Sequence, residues 1–178
     1  LDVLTTGEEL DWLQLARDLA GFLRALQAIG VAGAPAPGKR GRDLASRDET
    51  TRAGIAALAD ELDVDRVIDV WDQALAADPW HGPPVWVHGD LLPGNLVIAD
   101  GRLAGVIDWS ATGAGDPACE LMVAWSLPIE ARAQLRADLG VDDATWTRAR
   151  GWVIEQAVPF IPYYELTLPT AVAATRHR

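Results

Sequence analysis

Trp86 to Ile98 reads WVHGDLLPGNLVI, an apolar run of the kind that forms a buried strand, broken by His88, Asp90 and Asn95. Burying an unpaired carboxylate costs several kcal/mol, on the order of the whole stability of a small domain. A chain that sets Asp90 and Asn95 among valines and leucines must satisfy them with something other than hydrocarbon.

The flanking pattern shows how. Val85 to Val87 is β-branched and aromatic, and Leu96 to Ala99 and Leu103 to Ile107 are short apolar runs separated by Asp100-Gly101. Asp-Gly between two such runs signals a hairpin, because both residues tolerate the positive φ of a tight turn. That hairpin returns the chain to Asp108, thirteen positions after Asn95, so the two residues flank its strands at one end. Two oxygen donors there suit a hard ion such as Mg2+, which takes one or two protein ligands and fills its shell with water and substrate phosphates. Asp90, on the loop before Asn95, stands beside such an ion in the position of a general base.

The rest of the chain is helical in pattern. Thr5 with Glu8, or Thr6 with Glu9, forms a capping box, and Trp12, Leu15, Leu19, Leu23 and Leu26 follow at helical spacing as far as Gly30. Gly30 to Asp43, rich in Gly and Pro, reads as an exposed loop. Two helices should come next, one burying Ile55, Leu58 and Leu62 and one burying Val67, Val70, Trp71 and Ala74, before Pro79, Pro83 and Pro84 close this half. After the hairpin, Leu121, Val123, Ala124 and Leu127 restore helical spacing, and further helices are expected over Glu130 to Leu139, Asp143 to Val158 and the tail after Pro169. The fold class is therefore α+β, mostly helical, with a small β-hairpin insert, as a single domain over 1–178.

Composition narrows the function. A formal charge of −11 argues against the nucleic acid backbone as a partner and allows a cationic small molecule. No apolar run reaches the roughly 18 residues of a membrane span, and no secretion signal is legible, so the chain reads as soluble and cytoplasmic. The one cysteine, Cys119, rules out an internal disulfide or a cysteine metal cluster and reads as a small core filler.

His88-Gly89-Asp90, four intervening residues and then Asn95 repeat the spacing of the protein-kinase catalytic loop, with Gly89 in place of its arginine. With Leu91-Leu92-Pro93-Gly94, Val106-Ile107-Asp108-Trp109 and Gly115-Asp116-Pro117, the stretch from about Val85 to Leu127 resembles the aminoglycoside phosphotransferase family of kinase-like small-molecule enzymes. The resemblance implies a protein-kinase-like C-terminal lobe in which the hairpin region carries the catalytic loop. It implies that Asp90 orients or deprotonates an acceptor hydroxyl, and that Asn95 and Asp108 hold Mg2+ on the phosphates of ATP or GTP. His88 would steady the loop as a packed, hydrogen-bonded residue, and an aspartate at Asp116 would brace it, although Asp116 before Pro117 also suits a helix cap. Glu120 stands where the family usually has aspartate. A cationic acceptor would meet an acidic cleft, for which Glu155 and Glu165 are candidates by position along the chain. Trp109 reads as packing beneath the site.

Gly33 to Lys39 satisfies G-x-x-x-x-G-K but does not read as a phosphate loop. Arg40 takes the place of the Ser or Thr, two prolines remove backbone donors, and a helix rather than a strand precedes it. Nothing else supplies the Gly-rich loop and strand-borne lysine that kinase-like folds place on an N-terminal lobe. The chain thus matches a C-terminal lobe alone, and together with its start at Leu1 this leads us to expect a truncated enzyme whose N-terminal lobe lies outside it. The expected function is transfer of the γ-phosphate of a nucleoside triphosphate to a hydroxyl of a small molecule, an aminoglycoside or another compound such as a macrolide, choline or homoserine. The alternatives are a non-catalytic kinase-like binding module and, less well supported by ligand number, metal-dependent hydrolysis through His88, Asp90 and Asp108.

Overall fold

Apolar residues returning every three or four positions build α1 (Trp12–Gln27), which buries Leu15, Ala16, Leu19, Ala20, Leu23 and Leu26 along one face. Asp11 caps it, its carboxylate accepting the Gln14 amide at 2.9 Å. The computed structural model describes residues 10–165, 167 and 169–176, so the capping boxes expected at Thr5 to Glu9 lie outside the described residues. The buried face of α1 meets α4 (Ile129–Leu139) and the hairpin strand β3 (Arg102–Val106). A fork from Arg102 to Asp18, at 2.7 and 2.6 Å, fastens that contact.

The hairpin forms where the sequence places it. β2 (Leu96–Ala99) pairs antiparallel with β3, Leu96 opposite Val106 and Ala99 opposite Arg102, with a bulge between Val97 and Ile98. Asp100 and Gly101 make the turn at φ 52° and 69°. A second two-stranded sheet adds to the hairpin: β1 (Val85–Val87) pairs antiparallel with β4 (Gly113–Gly115), a strand the sequence pattern does not signal. Two glycines in three residues hid that strand, and its surroundings explain them. The Gly30 to Asp43 segment keeps most of its side chains at the surface, but its backbone docks on β4. The Ala114 amide donates to Pro35 O at 3.0 Å and the Asp116 amide to Gly41 O at 2.9 Å. A Cβ on Gly113 would lie 2.5 Å from Pro37 Cα, and one on Gly115 only 2.1 Å from Gly41 O. The segment expected to be an exposed loop is thus stitched to β4.

Two helix ends and one helix type also differ. α2 (Asp48–Ala57) stops before Leu58, which is buried in the turn leading to α3 (Val64–Ala76), and Leu62 packs there from the same turn. Pro117–Ser126 is 3₁₀ rather than α, and every side chain from Ala118 to Ala124 is buried. α5 (Asp143–Tyr164) runs through Pro159 and Pro162 instead of ending at Val158, because Val158 and Ile161 are buried and hold its last turns. Beyond it, α6 (Pro169–Arg176) closes the described chain.

α5 is the spine of the molecule, lying against α2, α3, α6 and the 3₁₀ segment, with Trp152 and Trp71 the largest fully buried side chains. No described helix is long and apolar enough to cross a membrane.

Candidate active site

β1 delivers the chain to His88 inside the protein, and the loop turns outward at Gly89, whose φ is +79°. A Cβ there would lie 2.5 Å from Ala111 O, so the arginine that kinases carry at this position has no room. Glu120, fully buried in the 3₁₀ segment, grips the turn: one oxygen accepts the His88 amide at 2.9 Å and the other the Gly89 amide at 2.8 Å. The His88 ring, also fully buried, puts Nε2 2.9 Å from Ile107 O, which fixes Nε2 as the donor. Nδ1 is then the acceptor for the Asp90 amide at 3.3 Å. The ring meets Trp109 edge-on at 4.8 Å, and Trp109 in turn meets Phe22 of α1 at 6.0 Å.

At the open end of the hairpin Ile107, the residue before Asp108, donates its amide to Asn95 O at 2.9 Å. Asn95 donates Nδ2 to Asp90 O at 2.8 Å and to Asp90 Oδ2 at 3.3 Å, and neither bond uses its amide oxygen. Asp108 sits in the left-handed region at φ 61°, a conformation uncommon outside glycine but among those Asp enters most readily. Its Oδ1 accepts the Ser110 hydroxyl at 2.7 Å, and this bond, with one from the Ser110 amide, holds the carboxyl below its ordinary range. Oδ2 takes part in neither. One amide oxygen and one carboxylate oxygen are hard donors of the kind a divalent cation sharing its shell with phosphate would use. Among the described residues there is no group of three or more His, Cys, Asp or Glu that could hold a metal by itself.

Asp90 is met from an unexpected direction. Arg40, the residue that spoils the apparent phosphate loop, places Nη1 2.7 Å from Asp90 Oδ1 and 3.3 Å from Gly89 O. Its Nε donates to Glu155 Oε2 at 3.1 Å, while Arg47 Nε takes Glu155 Oε1 at 3.0 Å. Glu155, expected as a lining carboxylate for a cationic acceptor, is therefore buried in α5 with both oxygens engaged by arginines. Glu165 lies just past α5 and is exposed. Asp116 caps the 3₁₀ segment through the Ala118 amide at 2.9 Å and pairs with Arg148 Nε at 2.8 Å. The carboxylate that grips the loop is instead Glu120.

Burial pushes Glu120 up to about 7 against the pull of the two amides, and burial also pushes the Cys119 thiol up. Cys119 is buried and fills core space beside Glu120. Glu120 could have been found in sequence only as a substitute for the expected aspartate. Arg40 carried no signal, since its contact with Asp90 spans 50 positions and no local period encodes it.

Residues 5–152 match the family model described as Phosphotransferase enzyme family, APH. An aminoglycoside 3'-phosphotransferase of Escherichia coli is 31% identical over 112 residues, an alignment covering 61% of this chain and 41% of that protein. The chain thus spans about two fifths of the curated relative it matches. Among solved structures, a macrolide 2'-phosphotransferase type I superposes with a TM-score of 0.61 at 22% identity, covering 93% of this chain and 58% of that one. A GDP and kanamycin complex of APH(2")-IIia superposes at 0.58 with 17% identity, covering 97% of this chain and 62% of that one. At these identities the superpositions show a shared fold.

Proposed function

The chain belongs to the Phosphotransferase enzyme family, and from that membership we propose that it forms the catalytic and acceptor-binding part of a kinase for a small hydroxyl compound, using a nucleoside triphosphate as donor. The observation that carries the proposal is the pair of oxygens that these bonds leave over, Asn95 Oδ1 and Asp108 Oδ2. Asn95 gives its NH2 to Asp90 and Asp108 spends Oδ1 on Ser110, so one oxygen of each is available to a cation.

Each residue then has a task. Asp90 accepts or orients the proton of the attacking hydroxyl, and its side chain is 34% exposed, which leaves it reachable. Asn95 and Asp108 are the residues that would hold Mg2+, and a bound Mg2+ would neutralise charge on the donor phosphates. Glu120 and His88 fix the loop from beneath, so that Asp90 meets the hydroxyl without first reorganising. Phosphoryl transfer asks little covalent chemistry of the protein, and positioning of this kind supplies much of the rate.

The donor is ATP or GTP, in keeping with the nucleotide in the APH(2")-IIia complex. Lys39 lies exposed in the docked segment and not on a strand, and the grip on the α and β phosphates is therefore proposed for residues outside these 178. For the acceptor, the kanamycin of that complex and the name of the macrolide enzyme mark the classes to screen first.

Nucleotide consumption by the full-length protein over a panel of aminoglycosides, macrolides and simpler hydroxyl compounds tests the proposal. We expect turnover with at least one class. Asp90→Ala should lower kcat by at least about 100-fold with little change in acceptor affinity. Undiminished turnover in that variant would remove Asp90 from the role given to it.

A further inference from the structure

The contact between Arg40 and Asp90 goes beyond anything the loop spacing implies. Two guanidiniums and two carboxylates alternate, in the order Arg47, Glu155, Arg40, Asp90. Glu155 is 4% exposed and Arg40 19%, so the chain of pairs runs from the interior of α5 to the rim of the site. Glu155 is anchored at both oxygens and cannot swing. A guanidinium is a planar fork, so fixing its Nε edge on Glu155 also fixes where Nη1 points. It points at Asp90 Oδ1 and at the carbonyl of Gly89, one residue before.

From the other side, Asn95 Nδ2 lies 3.3 Å from Asp90 Oδ2. Asp90 is thus held at each oxygen by a different element, one bond coming from the hairpin end and one from the docked segment. A plug over the site would cover the carboxylate, yet Asp90 keeps 34% of its side-chain surface open with Arg40 in place.

We propose that Arg40 is a positioning residue for Asp90, transmitting the rigidity of α5 through Glu155 so that the carboxylate meets the acceptor hydroxyl in one orientation. The proposal rests on the phosphotransfer reading above. It also makes Glu155 a support for Arg40 and not a contact for the acceptor, so removing it should change turnover and not acceptor recognition.

Steady-state kinetics of the full-length protein test it. Arg40→Ala should lower kcat about 10- to 100-fold, the loss expected when a catalytic group is misplaced by about 1 Å, with KM for acceptor and nucleotide within about threefold. Arg40→Lys should stay low, because an ammonium cannot bridge Asp90 and Glu155 as the fork does. Free guanidinium at concentrations well below denaturing should recover turnover several-fold in Arg40→Ala and not in the wild type or in Asp90→Ala, a readout that a merely structural role would not move. Should Arg40→Ala fail to fold, Glu155→Gln gives the same test, with an expected fall in kcat of about 3- to 10-fold at unchanged KM. Wild-type kcat in the Arg40 variant, a rise in kcat, or a loss confined to KM without guanidinium recovery would each overturn the proposal while Asp90→Ala remains inactive. Absence of nucleotide-dependent transfer in the wild type itself would instead overturn the phosphotransfer reading, and this proposal with it.

Discussion

Glu120 is fully buried, and its position is justified by the two backbone amides it accepts from His88 and Gly89. Its carboxyl holds a proton up to about pH 7, against an ordinary value of 4.5, because burial penalises the charged form more than the amides favour it. As pH rises from about 4.5 to 7, the unfolded chain releases this proton while the folded one still holds it, so unfolding gains and stability falls. Above about 7 both states are ionised and the loss levels off. Glu120→Gln removes that titration, at the cost of one acceptor for an amide that then lacks a carboxylate partner, roughly 1–3 kcal/mol. The stability difference between the variant and the wild type should therefore shift in the variant's favour by about 2–3 kcal/mol between pH 4.5 and 8. Denaturant titrations of both proteins at several pH values measure this, and parallel pH profiles would contradict it. The residue scale is also where sequence reading reached furthest. Asp90, Asn95 and Asp108 were picked out by spacing because they share one short loop and one hairpin, where separation along the chain and separation in space are nearly the same thing.

Among the elements, β4 and the segment docked on it show what spacing could not reach. Its glycines read as flexibility, but at Gly115 the missing side chain makes space: Gly41 O would lie 2.1 Å from a Cβ there and Pro37 Cγ 2.9 Å. Both are parts of the segment that carries Arg40. Gly115→Ala should force that segment off the strand and break or lengthen the Asp116 amide bond to Gly41 O. We expect a loss of about 1–3 kcal/mol in denaturant stability. If the segment's purpose is to present Arg40, kcat should fall in Gly115→Ala, and adding the substitution to Arg40→Ala should lower it no further. An additive loss in the double variant would mean that the two positions act independently. The hairpin β2–β3 was legible because its turn chemistry is local. The β1–β4 pair was not, since its strands are separated by the whole hairpin and one of them has almost no side chains with which to announce itself.

At the scale of the molecule, α5 reaches both the arginine network and the Asp116 cap, so one helix supports the candidate site from two sides. Among the described residues the one strand-borne cation, Arg102, is held by Asp18 of α1, and no lysine lies on a strand to meet the donor phosphates. The chain by itself should therefore bind Mg·ATP and Mg·GTP more weakly than about 1 mM, the range in which only a few phosphate contacts contribute. Isothermal calorimetry on this chain checks the expectation, and micromolar affinity would show that the nucleotide site is complete within it.

The sequence by itself determined the family, the mostly helical class, the hairpin and the three residues around which the proposed chemistry is built. Those features depend on turn residues, periodicity and short-range spacing, all of which are local. Only the tertiary structure decided which carboxylate grips the loop, that Glu155 faces arginines, and that Arg40 reaches Asp90 from 50 positions away. Such contacts are set by how buried faces stack, and burial lets a charge be held only where a partner is brought to it. No local pattern in the chain specifies that meeting, because it is produced by the packing of α5 against everything around it.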